Sequence, residues 1–376
     1  MNKYIFPNKN IDFQYDEHFL NVINTMLKKI CAKFNFSSKL SLIKIIKSID
    51  DLNYIQKKKL YSPDIIYKIM HTYKYVTQDI EISENELNQL FNILAFQFFI
   101  KNISISNVEE HINSLENIIY VDDIKVTLNN KISENIEFNF NDNNINLSIN
   151  TTFERLKKIS NTNIILDNSP HWIKNYISSI KKDVDSMLNI KNISISDNDS
   201  IKLIETNILE GLQLIKDSWP EMYEEVNFYI KQIVILDPPM SSSFSDINCH
   251  GCTFFINNNN SPVWWAENIV HECSHMKLNT ILASETHLNN PYTYTDKVPW
   301  RQDSRPLIGV LHGTYVYSRM YLLLKKIYSY QSNDYILNRM NEVYNELKIG
   351  IKLLEDKGDF TNRALLNEIK SIKSDY

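Results

Sequence analysis

Trp264 to Ala283 read WWAENIVHECSHMKLNTILA, a run without Gly or Pro. Such a run predicts a helix. His271 and His275 then stand four apart on one face, one turn from each other along the axis. Two imidazoles so placed can close on one metal ion, with Glu272 beside them as a base or as a partner to a ligand. Chance gives His-Glu-x-x-His in roughly one chain of this size and composition in a hundred. Without a metal, the same histidines would be ordinary polar-face residues of an amphipathic helix.

Upstream of this helix the pattern is strand-like. Gln232 to Leu236 is an apolar run stopped by Asp237-Pro238-Pro239, and Cys252 to Ile256 is a second. The segment between them, PPMSSSFSDINCHG, reads as a loop. Ser261-Pro262 suits the start of the metal-bearing helix, and Pro306 suits the start of the next. From about Ser200 to Ile230 the chain reads as helix, as does the charged tail from Asp334 to Ser374. Further out, Ile124/Val126/Leu128, Ile136/Phe138/Phe140 and Ile145/Leu147/Ile149 alternate with polar residues, and Asn141 to Asn144 supply a turn. That predicts a three-stranded antiparallel meander with one solvated face. The first third carries apolar residues at helical spacing, with Asp64 near one helix start and a capping box at Ser83 and Glu86. A composition shift divides a helical N-terminal region, 1–118, from an α+β metal-binding catalytic region, 119–376.

Composition narrows the function classes. The 376 residues are 43% hydrophobic and 23% charged, enough to bury a core. A net charge of −5 gives no basic footprint for nucleic acid or an anionic membrane. Six glycines, against a usual ~7% of residues, argue against phosphate-cradling loops and a dinucleotide-binding fingerprint. Leu90 to Ile100, the most apolar stretch, is about half the ~20 residues a membrane span needs. The N-terminus, MNKYIFPNKN, has no apolar signal region. Four cysteines are too few for a secreted disulfide scaffold, so a reduced, cytoplasmic protein is expected.

The metal needs a third ligand. Glu285 falls near the end of the same helix, too far along it. His287 lies in the polar stretch ETHLNN, where a solvated side chain is expected. The spacing of a third histidine six residues past His275 is absent, since Leu278 and Ile281 occupy the positions where that pattern has Gly and His. His312 is the next candidate. Gly309 and Gly313 flank it, and small neighbours would let another helix approach closely. Between the two helices lies PWRQDSRP, with Arg301, Asp303 and Arg305. Arginine forks grip carboxylates in a bidentate fashion, which points to an anionic ligand near the metal. Asp303 could instead pair with one Arg, or replace His312 in a two-His, one-carboxylate triad.

These motifs together resemble one family. VHECSHMKLNTIL followed by PWRQDSRPLIGVLHGTYVY is similar to the HExxH-type, 2-oxoglutarate-dependent peptide β-hydroxylases of ribosomally made natural-product pathways. About fifty residues, Trp264 to Tyr317, carry the resemblance. It implies an Fe(II) and 2-oxoglutarate oxygenase that hydroxylates a side chain of a precursor peptide. His271, His275 and His312 would hold iron, and Arg301 or Arg305 the far carboxylate of 2-oxoglutarate. Glu272 would orient a ligand or water and not act as a hydrolytic base. The alternative is a zinc metallopeptidase in which Glu272 activates metal-bound water. The expected fold is α+β and predominantly helical, a zincin-like metal-binding helix pair with a small antiparallel sheet. The expected partner is a peptide, with neither nucleic acid nor membrane.

Remaining features have plainer readings. Cys249-His250-Gly251-Cys252 is a lone CxxC, short of the four ligands of structural zinc, and is expected at the rim of the site. The Cys252 to Ile256 strand could take an extended peptide by edge pairing. Trp264, Trp265 and Trp300 fit helix packing, as do Tyr315, Tyr317 and Tyr321. Lys57 to Lys59 is expected to be a solvated helix face.

Overall fold

The computed structural model describes residues 3–33, 49–80, 82, 87, 90, 94, 109–112, 118–121, 124–128, 136–141, 144–147, 151–168, 171–183, 194–196, 198–237, 243–257, 261–298 and 304–372. It is mostly helical with small sheets, as the sequence predicts. The N-terminal helices are α1 (Lys9–Lys33), α2 (Tyr54–Leu60) and α3 (Pro63–Thr77). Asn53 caps α2 through a capping box with Gln56. Short strands β1 (Glu109–Ile112) to β6 (Thr151–Arg155) follow, then β7 (Ile165–Leu166), α4 (His171–Asp183) and β8 (Ser194–Ile195). The sequence's single helical stretch from 200 to 230 is two helices, α5 (Asn198–Ser218) and α6 (Pro220–Tyr229). Pro220 lacks the amide hydrogen that would continue α5, so it opens a new helix. The Ser83–Glu86 capping box and most of Leu90 to Ile100 lie outside the described residues.

The predicted meander is a correction. β3 (Ile124–Leu128) pairs with β2 (Ile118–Val121) and β6, whereas β4 (Ile136–Asn141) pairs with β1 and β5 (Asn144–Leu147). The hairpin across 141–144 is as read, but β3 belongs to a different three-stranded sheet. Alternation fixes which face each strand presents; it does not choose the partner.

A mixed sheet lies under the helix that carries the His-Glu-x-x-His motif. Its order is β10-β11-β9-β7, built from β9 (Gln232–Asp237), β10 (Phe244–Ser245) and β11 (Cys252–Ile256). β7, β9 and β11 run parallel, while β10 is antiparallel to β11. β8 pairs antiparallel with the end of β9. The unbroken apolar runs of β9 and β11 follow from burial on both faces. Val234, Leu236, Cys252 and Phe254 pack with Tyr67 of α3 and with Trp172 and Tyr176 of α4. Ile233, Ile235 and Phe255 face the other way, toward Ile208 of α5 and Trp265 and Ile269.

The last two residues lie on α7 (Pro262–Ser284), which carries the His-Glu-x-x-His motif. Ser261 caps α7, its hydroxyl accepting from the Trp264 amide at 3.3 Å, and Pro262 occupies the first turn. A two-stranded ribbon of β12 (Tyr294–Lys297) and β13 (Ser304–Pro306) leads into α8 (Leu307–Tyr330). α9 (Asp334–Lys357) and α10 (Ala364–Lys370) close the chain, separated near Gly358. α7 packs on α1, α5, α6 and α8, and α8 packs on α9. Residues 3–6 cross this assembly. Glu368 of α10 accepts from the Lys3 and Tyr4 amides, and the Tyr4 carbonyl accepts from the Tyr315 hydroxyl.

Of Gly309 and Gly313, the two glycines predicted to let a helix approach closely, Gly309 does not meet one. A Cβ on Gly309 would meet only the Arg305 and Pro306 side chains, at 3.7 and 3.9 Å. A Cβ on Gly211 of α5 would stand 2.6 Å from the Trp265 Cβ, so it is this glycine that seats α7. Among the described residues, no helix is long and apolar enough to cross a membrane.

Candidate metal centre

α7 is apolar almost all round because neighbours cover nearly every face. Its two motif histidines lie on the partly open strip that faces α8. The Nε2 atoms of His271 and His275 are 3.2 Å apart. Two nitrogens bound to one ion at ~2.1 Å stand about 3.0–3.4 Å apart, so this pair has the spacing of two ligands. His312, on the facing side of α8, brings its Nδ1 to 3.2 Å from the Nδ1 of His275, and the two rings stack with centroids 5.4 Å apart. His275 therefore meets its neighbours through different nitrogens. Among the described residues, no group of three or more His, Cys, Asp or Glu side chains converges on one point as a formed metal site. The contacts as they stand suit N–H···N hydrogen bonds between neutral rings.

Electrostatics keep all three rings uncharged. Burial lowers the pKa of His271 to about 4, helped by the nearby charge of Arg339. Burial alone brings His312 to about 4. His275 falls well below the ordinary imidazole value through burial and its two histidine neighbours. Neutral imidazole is the form that binds a metal. Behind His271, Nδ1 lies 3.2 Å from Met320 Sδ on α8.

Glu272 is buried, with 1% of its surface exposed, and its Oε1 is 3.9 Å from His271 Nε2. Oε2 has no hydrogen-bond partner. Burial raises the carboxyl to about 8, and the nearby Ser245 hydroxyl on β10 opposes that shift. It is thus mainly protonated at neutral pH. Cys273 points the other way, into the core against Glu225, as its place in the motif predicts.

The rear of α7 holds what sequence reading missed. Lys277 Nζ bonds Glu225 of α6 at 2.7 Å and lies 2.9 Å from Asp12 of α1. Arg319 of α8 also bonds Glu225. All four side chains are buried. Burial alone would raise Glu225, but Arg319 and Lys277 hold its carboxyl below the ordinary value. Burial and the Glu225 charge push Asp12 up to about 6. The Phe6 carbonyl also accepts from Lys277, at 3.2 Å. Lys277 and Arg319 are charges set among apolar neighbours in sequence, the signal that could have marked them. Glu267, one turn before His271, binds Arg339 of α9 through Nε and Nη2 at 2.8 and 2.5 Å.

Other predicted residues fall as follows. Arg301, Asp303 and Trp300 lie outside the described residues. Arg305 sits on β13 opposite Thr295, one turn before Gly309. Glu285 is taken by Lys3, Tyr4 and Tyr15, and lies 3.6 Å from His287 Nε2. His287 is a correction: it is buried, with Nδ1 3.2 Å from the Asn362 carbonyl and its ring edge-on to Tyr4. The loop is polar, but residues 359–362 and Tyr4 cover it. Cys249 and Cys252 are buried beside Tyr67 and Tyr176, not at a rim. β11 is also no docking edge, since β9 and β10 occupy both its sides. Trp265, Tyr315 and Tyr321 are core residues, as expected. No protein-family model matches the chain, and no curated protein matches it.

Proposed function

We propose that the chain is an Fe(II)- and 2-oxoglutarate-dependent oxygenase that hydroxylates a side-chain carbon of a ribosomally made precursor peptide. The observation that supports it best is the meeting of three neutral imidazoles, His271, His275 and His312, across α7 and α8. Ferrous iron held there, with 2-oxoglutarate and oxygen, would supply the hydrogen abstraction and hydroxyl transfer. His271 and His275 would hold it through the Nε2 atoms that stand 3.2 Å apart, with His312 as the third ligand. In this zincin-like reading, α7 and α8 are the metal-binding helix pair and β10 is the edge strand above it. Met320 supports the back of His271. Glu272, 3.9 Å from His271 Nε2, would orient a ligand or bound water. Arg301 and Arg305 are the candidates for gripping the far carboxylate of 2-oxoglutarate, and Asp303 for fixing one of them.

One observation favours a second reading, a zinc peptidase: the His271–His275 spacing suits zinc as well as iron. Its general base would be Glu272, whose Oε1 lies 3.9 Å from His271 Nε2. Adding Fe(II) and 2-oxoglutarate to metal-free protein without oxygen separates the two. The oxygenase gives a weak visible charge-transfer band that His271→Ala abolishes. No band, with stoichiometric zinc and peptide cleavage that Glu272→Gln abolishes, establishes the peptidase.

A further inference from the structure

The face of the mixed sheet that packs on α7 is largely apolar. Ile233 and Ile235 of β9 and Phe255 of β11 meet Trp265 and Ile269 there. Thr253 lies two residues before Phe255, so it shares that face, and it is fully buried. Ser245 of β10 is its cross-strand partner. Side chains paired in this way lie on one face, with Cβ atoms about 4.5–5.5 Å apart. The neighbouring pair, Phe244 and Phe254, stacks on the opposite face beside Tyr176. Two hydroxyls are thus set together on the α7 side.

β10 packs on α7, and the Ser245 hydroxyl stands beside the Glu272 carboxyl. Yet among the described residues, Ser245 Oγ, Thr253 Oγ1 and Glu272 Oε2 all lie buried without a hydrogen-bond partner. Polar atoms left so cost stability. Valine at 253 has threonine's branched shape, favours strands and carries no such cost. Alanine at 245 would avoid it too. Glu272 is the member of the group next to a candidate ligand, with Oε1 3.9 Å from His271 Nε2. A hydroxyl turns about its C–O bond and either donates or accepts, so two of them can follow a carboxyl that shifts slightly.

We propose that Ser245 and Thr253 are positioning residues, whose hydroxyls hold the Glu272 carboxyl when a metal ion is bound by the histidines. The inference rests on the metal site of the reading above, and it is the same for iron and for zinc. Glu272 has three rotatable side-chain bonds, and a carboxyl that orients a ligand or water must keep one of its many directions. Tying it to the sheet as well as to α7 fixes that direction. The cost of the unpartnered hydroxyls then falls on the metal-free protein and is relieved in the metal-bound one.

The test needs no turnover. Co(II) is titrated into the metal-free protein, and its visible absorption gives the affinity. Ser245→Ala with Thr253→Val weakens binding at least about tenfold, while Thr253→Ser stays within about threefold of wild type. In a Glu272→Leu background the same pair of changes alters affinity less than about twofold, because the hydroxyls act through that carboxyl. Urea unfolding of the metal-free variants is the second readout. Removing two unpartnered hydroxyls leaves the midpoint at or above the wild-type value, whereas a structural role would lower it. Unchanged Co(II) affinity in the Ser245→Ala, Thr253→Val protein overturns the proposal, and so does a lowered midpoint. An equal loss in the Glu272→Leu background overturns it too, since the hydroxyls would then act on something else. Wild-type protein that takes up no Co(II) overturns it together with the metal site. The expected pattern without the Fe(II) and 2-oxoglutarate band leaves the positioning role standing on a different enzyme.

Discussion

The two sides of α7 carry polar clusters of opposite character. At the rear, Glu225, Lys277, Arg319 and Asp12 are buried with opposite charges matched. At the front, three imidazoles are neutral, and a protonated Glu272 leaves one oxygen without a partner. Matched buried charges hold a helix in register; polar groups left short of partners cost stability unless something binds them. The rear therefore fixes α7, and the front is where a ligand gains most.

The largest expected effect tests the rear. Arg319→Leu removes one of the two cations on Glu225 and should cost about 3–5 kcal/mol in urea unfolding. A loss below about 1 kcal/mol would mean the cluster does not anchor the helix. The mirror experiment at the front is His275→Ala. It should reduce ferrous affinity at least about a hundredfold while shifting the unfolding midpoint little, since no charge is stranded. If stability collapses as in Arg319→Leu, the front is structural and the contrast fails.

Gly211→Ala perturbs the seat of α7 without touching either cluster. Overpacking against Trp265 should cost about 1–3 kcal/mol and loosen metal binding only in proportion. Acid sharpens the comparison further. His271 and His312 titrate at about 4 when folded, against an ordinary value of 6.5. The unfolded chain thus binds more protons between those values, so stability falls as pH drops from about 6.5 to 4. Asp12, raised from 3.8 to about 6, acts in the opposite direction over most of that window. His271→Phe should flatten the acid loss of the metal-free protein, read as unfolding free energy at pH 6.5 and pH 4.5. Arg339→Gln leaves the buried Glu267 without its partner and should cost about 1–3 kcal/mol in urea unfolding.

The front was far more legible than the rear. An i, i+4 spacing is written in one helix, so His271 and His275 could be paired from sequence. His312 came from the same local reasoning, because α7 and α8 are near neighbours in the chain. Glu225 and Asp12 could not be found that way. They reach Lys277 from 52 and 265 residues upstream, through packing of helices whose order in space the periodicity does not encode. Strand pairing failed for the same reason: β3 and β4 each read correctly as strands, yet their partners are β2, β6, β1 and β5. His287 shows the limit of composition, since a polar loop can be covered by another part of the chain.

Residues 3–6 give the architecture an order in time. Glu368 holds the Lys3 amide across 365 positions, and the same segment supplies the carbonyls that Lys277 and Tyr315 bond. A ribosome delivers His271, His275 and His312 well before it delivers Glu368. A nascent chain thus owns all its candidate ligands while the strap behind them is still unfastened. Emergence of α10, and not of the motif, completes the frame. A chain stalled before α10 would keep the histidines on a helix whose rear strap has lost its Glu368 anchor.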